Sequence, residues 1–153
     1  MKLIFLYLSI AIASGLLFTN IYNSMVDARN WSSDVPNSIN TAREYFKAAT
    51  PAKFFRLFSP INQVLAIIVL IAFWKSTDTR IYFISMVVAY VLADVLTFAY
   101  FYPRNTILFT SVSSPDQLKA AATEWSSMNW IRSLIVAMGL IISFLGLHKI
   151  NAL

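Results

Sequence analysis

Apolar residues gather into four long runs: Leu3–Tyr22, roughly Phe54–Trp74, Ile81–Tyr102 and Trp130–Leu147. Each approaches the ~20 residues with which an α-helix crosses the hydrocarbon core of a bilayer. The runs predict spanning helices over about 3–23, 54–74, 80–102 and 129–148. Lys75–Arg80 leaves room only for a tight turn, so the second and third helices are antiparallel neighbours. The other two connections are longer. Ala28–Ala52 opens on turn formers at Asn30–Pro36, and Thr41-Ala42-Arg43-Glu44 then fits a capping box for a short helix through Ala49. Pro51 suits a first helical position, whereas Pro60 predicts a kink or a fresh start. After Pro103, the loop Arg104–Ser127 carries a second short helix at Pro115–Trp125, with Ser114 as its cap. The expected fold is all-α: an integral membrane antiparallel four-helix bundle with two longer loops on one side, each bearing a short helix. One domain over 1–153 is expected, since the length leaves little room for a second.

Polar positions are confined to stripes. Asn20, Asn23 and Asp27 fall at i, i+3 and i+7 at the end of the first run; Arg56, Ser59 and Gln63 do so at the start of the second. Tyr90, Asp94, Thr97 and Phe101 share a stripe late in the third run, and Trp125, Asn129 and Arg132 open the fourth. Successive spans alternate in direction, so these stripes, with Asn62, meet on one side of the membrane. The opposite half is nearly pure Leu, Ile, Val, Ala and Phe. The sequence therefore predicts a bundle sealed at one end and polar inside at the other. Asp94 precedes Tyr102 by eight residues, about 12 Å below that end at 1.5 Å per residue. Arg132 begins about one turn down, so an Asp94–Arg132 contact is feasible, with Arg56 as the competing partner. A bare charge there costs at least ~2.5 kcal/mol on insertion scales. The pair is either functional or a device that holds the bundle together.

Composition supports the membrane reading. The chain is 58% hydrophobic and 12% charged, against about a quarter charged in soluble domains. The formal charge of +5 does not point to nucleic acid, because the basic residues are scattered and suit lipid headgroups. There is no cysteine, which excludes disulfides and thiolate metal sites. Ala11-Ile12-Ala13 resembles a signal-peptidase site, but apolar character continues through Phe18; an uncleaved first span is expected, with a cleaved signal peptide as the alternative. Ser24, Ser59 and Ser133 have no histidine at their end of the bundle, which rules out a serine–histidine hydrolase.

Asn23–Asp27 closing the first helix, the Pro51–Phe58 approach to the second, Phe101-Tyr102-Pro103-Arg104-Asn105, and Trp125…Asn129-Trp130-Ile131-Arg132 together resemble the anthrone oxygenase-like family. These are small four-helix membrane proteins otherwise grouped as a domain of unknown function. The likeness covers most of the chain, and its most specific part is the proline-x-asparagine and tryptophan…asparagine…arginine pair. A few members are linked to oxygenation of anthrones to anthraquinones, which implies a small, flat, hydrophobic substrate. Metal-dependent versions of such chemistry need histidines, and the only one here is His148, at the sealed end. The polar end offers Asp94 with Asp27, so no metal, haem or other cofactor is expected.

As an enzyme, the chain would use Asp94 as base. Arg132, Arg56 and Asn129 would hold a phenolate or carbonyl oxygen, Trp125, Tyr102 and Phe101 would stack on rings, and Asn20, Asn23, Gln63 and Asn105 would complete the binding surface. The alternative is a non-catalytic carrier or accessory subunit in which the charged pair is structural. Gly139 and Gly146, seven apart, would allow close helix contact, including with a second copy in a homo-oligomer. Expected partners are membrane lipid and a small hydrophobic ligand, not nucleic acid. Lys2, Lys75, Arg80 and Lys149 at the short segments argue for cytoplasmic termini in a bacterial inner membrane, although Arg43, Lys47, Lys53 and Arg104 weigh on the other side.

Overall fold

A computed structural model describes residues 2–152. Five helices account for nearly all of them: α1 (Lys2–Trp31), α2 (Asn37–Tyr45), α3 (Pro51–Ala72), α4 (Thr77–Phe109) and α5 (Pro115–Asn151). Four of these, α1, α3, α4 and α5, are long and apolar enough to cross a membrane. The chain is thus an all-α, multi-pass membrane bundle. Its spanning helices form a closed ring in which α1 packs on α3 and α5, and α4 packs on the same two. The α4–α5 seam is the most extensive and the α3–α4 seam the least.

Two helices run past the ends expected for them, each with a five-residue π-turn, at Asn23–Asp27 in α1 and Thr97–Phe101 in α4. A π-turn takes one extra residue and rotates the rest of the helix, and such turns occur often beside functional sites. The rotation matters in α1. Asn23 and Ser24 both turn inward and are buried, while Asp27 leaves the stripe predicted for it. In α4 the widened turn precedes Pro103, which has no amide to donate. The helix accordingly continues to Phe109 instead of ending at Pro103. Pro60 likewise sits inside α3 without ending it.

The second long loop also differs from expectation. Ser114 forms the capping box with Gln117, but the helix it starts runs unbroken into the fourth span, 37 residues in all. The box expected at Thr41 and Glu44 does not form, because α2 begins earlier, at Asn37. Local bonds from the turn pre-empt it: the Asn37 amide donates to Asp34 Oδ2 at 3.1 Å, and Ser38 Oγ donates to the Trp31 carbonyl at 2.6 Å. Thr41 is left mid-helix, donating to the Asn37 carbonyl, and Glu44 pairs with Lys47. Arg43 reaches the C-terminus of α4, where Nε donates to the Leu108 carbonyl at 2.8 Å and Nη2 to the Ser111 carbonyl at 3.0 Å. A cation there satisfies carbonyls that the helix end leaves free.

Two apolar cores result. One closes the far end of the bundle around Leu6, Ile10, Ala13, Ala66, Val69, Phe83, Met86 and Tyr90. The other, built on Trp31, Ile39, Phe101, Leu108, Leu118 and Trp125, joins α2 to the extended ends of α1, α4 and α5. Gly139 and Gly146 serve the first core. They seat rings of this same chain, since a Cβ at Gly139 would lie 2.6 Å from Tyr90 Cε1 and one at Gly146 2.8 Å from Phe83 Cε1. The close contact they allow here is with α4 of the same chain. Tyr90 is pinned there by Ser143, 3.1 Å away. Gly139→Ala is expected to destabilise by about 1–3 kcal/mol through overpacking. Gly15→Ala, with open space around it, is expected to stabilise by up to ~1 kcal/mol through helix propensity. Thermal unfolding of the detergent-solubilised variants measures both.

Candidate functional site

At the other end the four spanning helices leave a cavity of about 420 Å³ between them. That is within the ~300–1,000 Å³ usual for small-molecule sites. Arg132 forms its inner end together with Leu16 and Val136. Leaving Lys or Arg unsatisfied at such depth is costly, and the chain answers with fixed oxygens. Nη2 donates to Asn20 Oδ1 at 2.8 Å and to Asn129 Oδ1, and Nη1 donates to Thr97 Oγ1 at 3.3 Å. The guanidinium also lies over aromatic faces, 4.1 Å from the Phe101 centroid and 5.1 Å from that of Phe55. Such stacking on ring faces adds attraction for a desolvated cation.

Asn129 is the hinge of this network. It is wholly buried, and its amide nitrogen donates to the Asn20 carbonyl at 2.8 Å and to Ser24 Oγ at 2.7 Å. With the nitrogen committed to α1, the amide oxygen is left facing Arg132. The three-residue step from Asn129 to Arg132 on α5 makes that contact geometrically automatic.

Asp94 lies on the opposite wall. Its Oδ2 accepts from Gln63 Nε2 at 2.8 Å. The expected Asp94–Arg132 ion pair does not form: the charged atoms are more than 4 Å apart, and each side chain is engaged by amides or a hydroxyl on its own side. Arg56 is no substitute partner, because its guanidinium sits 5.9 Å from the Tyr102 ring centroid. The reason is positional. Gln63 on α3 reaches Asp94 directly, while Arg132 is held towards α1 by Asn20.

Of the residues singled out from sequence, Asp94, Arg132, Asn20, Asn23, Arg56, Tyr102, Asn105 and Trp125 line the cavity. Gln63 stands behind Asp94, and Asn129 behind Arg132. Trp125 Nε1 donates to Asn105 Oδ1 at 2.9 Å, which fixes the indole on the wall. Asn62, counted with the polar end, instead faces α1 and accepts from Ser9 Oγ at 2.9 Å. Asp27 lies outside the lining.

Sequence reasoning passed over much of the aromatic wall. Trp125, Trp31, Phe109 and Phe46 line the cavity in an edge-to-face series with centroids 5.1 to 6.2 Å apart, and Phe101, expected to stack on a ligand, instead lies buried behind Trp125 and outside the lining. Trp31 ends α1 and Phe46 follows α2, both within the stretch expected to be the first loop, whose folding back no helical period encodes. Phe98 was legible, since it lies four residues from both Asp94 and Tyr102. Ser24 was hidden by the π-turn. Among the described residues, no three His, Cys, Asp or Glu side chains converge as a metal site, and the lining contains one carboxylate and no imidazole.

No protein-family model, curated protein or solved structure matches the chain.

Asn129→Ala removes the bonds to α1 and leaves Arg132 short of an acceptor. It is expected to cost about 1–3 kcal/mol, read as a lower unfolding temperature, whereas Ser127→Ala on the exposed face is expected to change it little.

Proposed function

We propose that this membrane protein binds a small, flat, hydrophobic molecule bearing an oxygen, aromatic or phenolic in character, in the cavity above Arg132. The observation that carries the reading is a buried guanidinium at the inner end of an aromatic-walled cavity of small-molecule size. Aromatic walls supply area for a flat ring system, and the guanidinium selects for an oxygen acceptor.

The likeness to anthrone oxygenase-like proteins, carried by the residues quoted above, supplies the reaction. Asp94 takes a proton from the central methylene of an anthrone. The enolate oxygen that forms is stabilised by Arg132, as charge developing beside a preorganised donor is. The carbanion reduces dioxygen and gains one of its atoms, the other leaves as water, and the balance is one anthrone and one dioxygen to one anthraquinone and one water. Phe98, Tyr102 and Trp125 hold the rings.

A second reading has its own support. Arg132 and Asn129 tie α1, α4 and α5 together, so the polar cluster would be needed by a carrier or accessory subunit that performs no turnover. For either, we place the termini in the cytoplasm of a bacterial cell and the cavity mouth across its inner membrane. Supporting this, Arg43 and Arg104 in the long loops are engaged in the loops' own fold, with α4 carbonyls and with Glu124 respectively.

Incubating the purified protein with an anthrone and oxygen, with and without chelator, tests the enzymatic reading by quinone formation. Asp94→Asn is expected to lower turnover at least 100-fold with the unfolding temperature retained. Undiminished turnover would remove Asp94 as the base. Tight aromatic binding without oxygen uptake by the wild-type protein would favour the carrier.

A further inference from the structure

The geometry points to an anionic amphiphile as the occupant of the cavity, its acidic oxygen on Arg132 and its apolar body lying between α3 and α4, through which it arrives from the bilayer. This rests on the reading of the cavity as a ligand site, not on the oxygenation, and narrows the class of molecule it takes: an anthrone, itself uncharged, would need an acidic substituent to belong to it.

Charge is the first argument. The lining holds two guanidiniums, Arg56 and Arg132, and one carboxylate, Asp94, a sum of +1. Arg132 is only 5% exposed and has no carboxylate within 4 Å among the described residues. Its contacts are neutral amides, a hydroxyl and ring faces, which orient the cation without cancelling its charge. A desolvated charge is stabilised most by an opposite charge in good hydrogen-bonding geometry.

Unmet hydrogen bonds are the second. Arg132 Nε and Asn23 Nδ2 are both buried donors without an acceptor, on two side chains that line the cavity. Buried donors are almost always satisfied, by protein, water or ligand. Both atoms are shielded behind the cavity surface, so they show that the cluster is under-supplied with acceptors, while an acidic oxygen in the cavity would meet the guanidinium at its exposed edge.

The route is read from exposure. Phe98 is 71% exposed and Tyr102 52%, yet both line the cavity, as do the exposed Arg56 and Pro60. One wall of the cavity is thus also outer surface, on the flank where α3 and α4 meet least closely. Its neighbours Leu57, Ile61 and Val95 are exposed apolar residues that suit acyl chains. Arg56, resting on the Tyr102 ring, stands at this opening as a first contact for an anionic head.

The test uses 2-naphthoate and its uncharged methyl ester as ligands, followed by quenching of tryptophan emission in phosphatidylcholine nanodiscs. The acid is expected to bind at least tenfold more tightly than the ester, and Arg132→Gln to abolish the difference. Equal affinities in the wild-type protein would overturn the anionic class while leaving an aromatic site standing. Binding of neither would overturn both readings. The wild-type comparison stands even if Arg132→Gln fails to fold. Adding phosphatidylglycerol distinguishes the source: competition identifies a lipid phosphate and its absence a free organic acid, and both uphold the proposal. For the route, Phe98→Cys creates a single thiol in a chain without cysteine. A bulky maleimide there is expected to slow naphthoate association at least tenfold relative to the unlabelled variant, and an unchanged rate would overturn lateral admission.

Discussion

Burying one guanidinium constrains everything at the polar end of this bundle. Arg132 lies where hydration is lost, so its N–H groups must be met by oxygens that the helices bring to it. Asn20 comes from α1, Thr97 from α4 and Asn129 from α5 itself. Three of the four spanning helices are thereby registered on one side chain. The fourth, α3, lends Arg132 only the face of the Phe55 ring and gives its own polar side chain Gln63 to Asp94, and the cavity lies between these two sets of contacts. The site and the bundle's internal order are consequences of the same charge.

The rest of the fold makes this arrangement tolerable. At the far end, large side chains of α1, α3 and α4 close an apolar core, and the glycines of α5 let rings of α4 approach its backbone. At the near end, the helices continue beyond their apolar runs and build a second core with α2. Continuation requires two π-turns, and both lie level with the cavity. One turns Ser24 inward to receive Asn129, and the other carries Thr97, which accepts from Arg132. Arg104, bonded to Glu124 and stacked 3.5 Å from the Tyr100 centroid, fastens the extensions of α4 and α5. The mouth is thus a folded rim of loop and helix ends.

Hydrophobic period and length made the four spans legible, because a membrane leaves few alternatives to the helix. The polar stripes were legible for the same reason, as uncompensated polar groups in such runs must face inward. Eight of the candidate site residues named from the sequence line one cavity. What failed were inferences that depend on local register or on pairing. The stripe Asn20, Asn23, Asp27 assumed a uniform 3.6-residue turn, which the π-turn breaks. Pro103 looked like a helix end because its missing amide is normally disruptive, and the widened turn absorbs that defect. Opposite charges on adjacent stripes suggested an Asp94–Arg132 pair. Side-chain reach decided otherwise, giving Asp94 to Gln63 and Arg132 to three neutral oxygens. The first-loop aromatics carry no period at all, so Trp31 and Phe46 became visible only in three dimensions.

Thiol accessibility tests most directly whether these stripes enclose a shared polar cavity, since the chain supplies a cysteine-free background. Single cysteines at Ser59 and Thr97, on the cavity wall, and at Val95 and Leu134, on the lipid face, can be treated with a charged, membrane-impermeant methanethiosulfonate in vesicles of mixed orientation. The account predicts rapid modification at Ser59 and Thr97 and little at Val95 and Leu134. Equal protection of all four, or faster reaction at the lipid-facing pair, would contradict it.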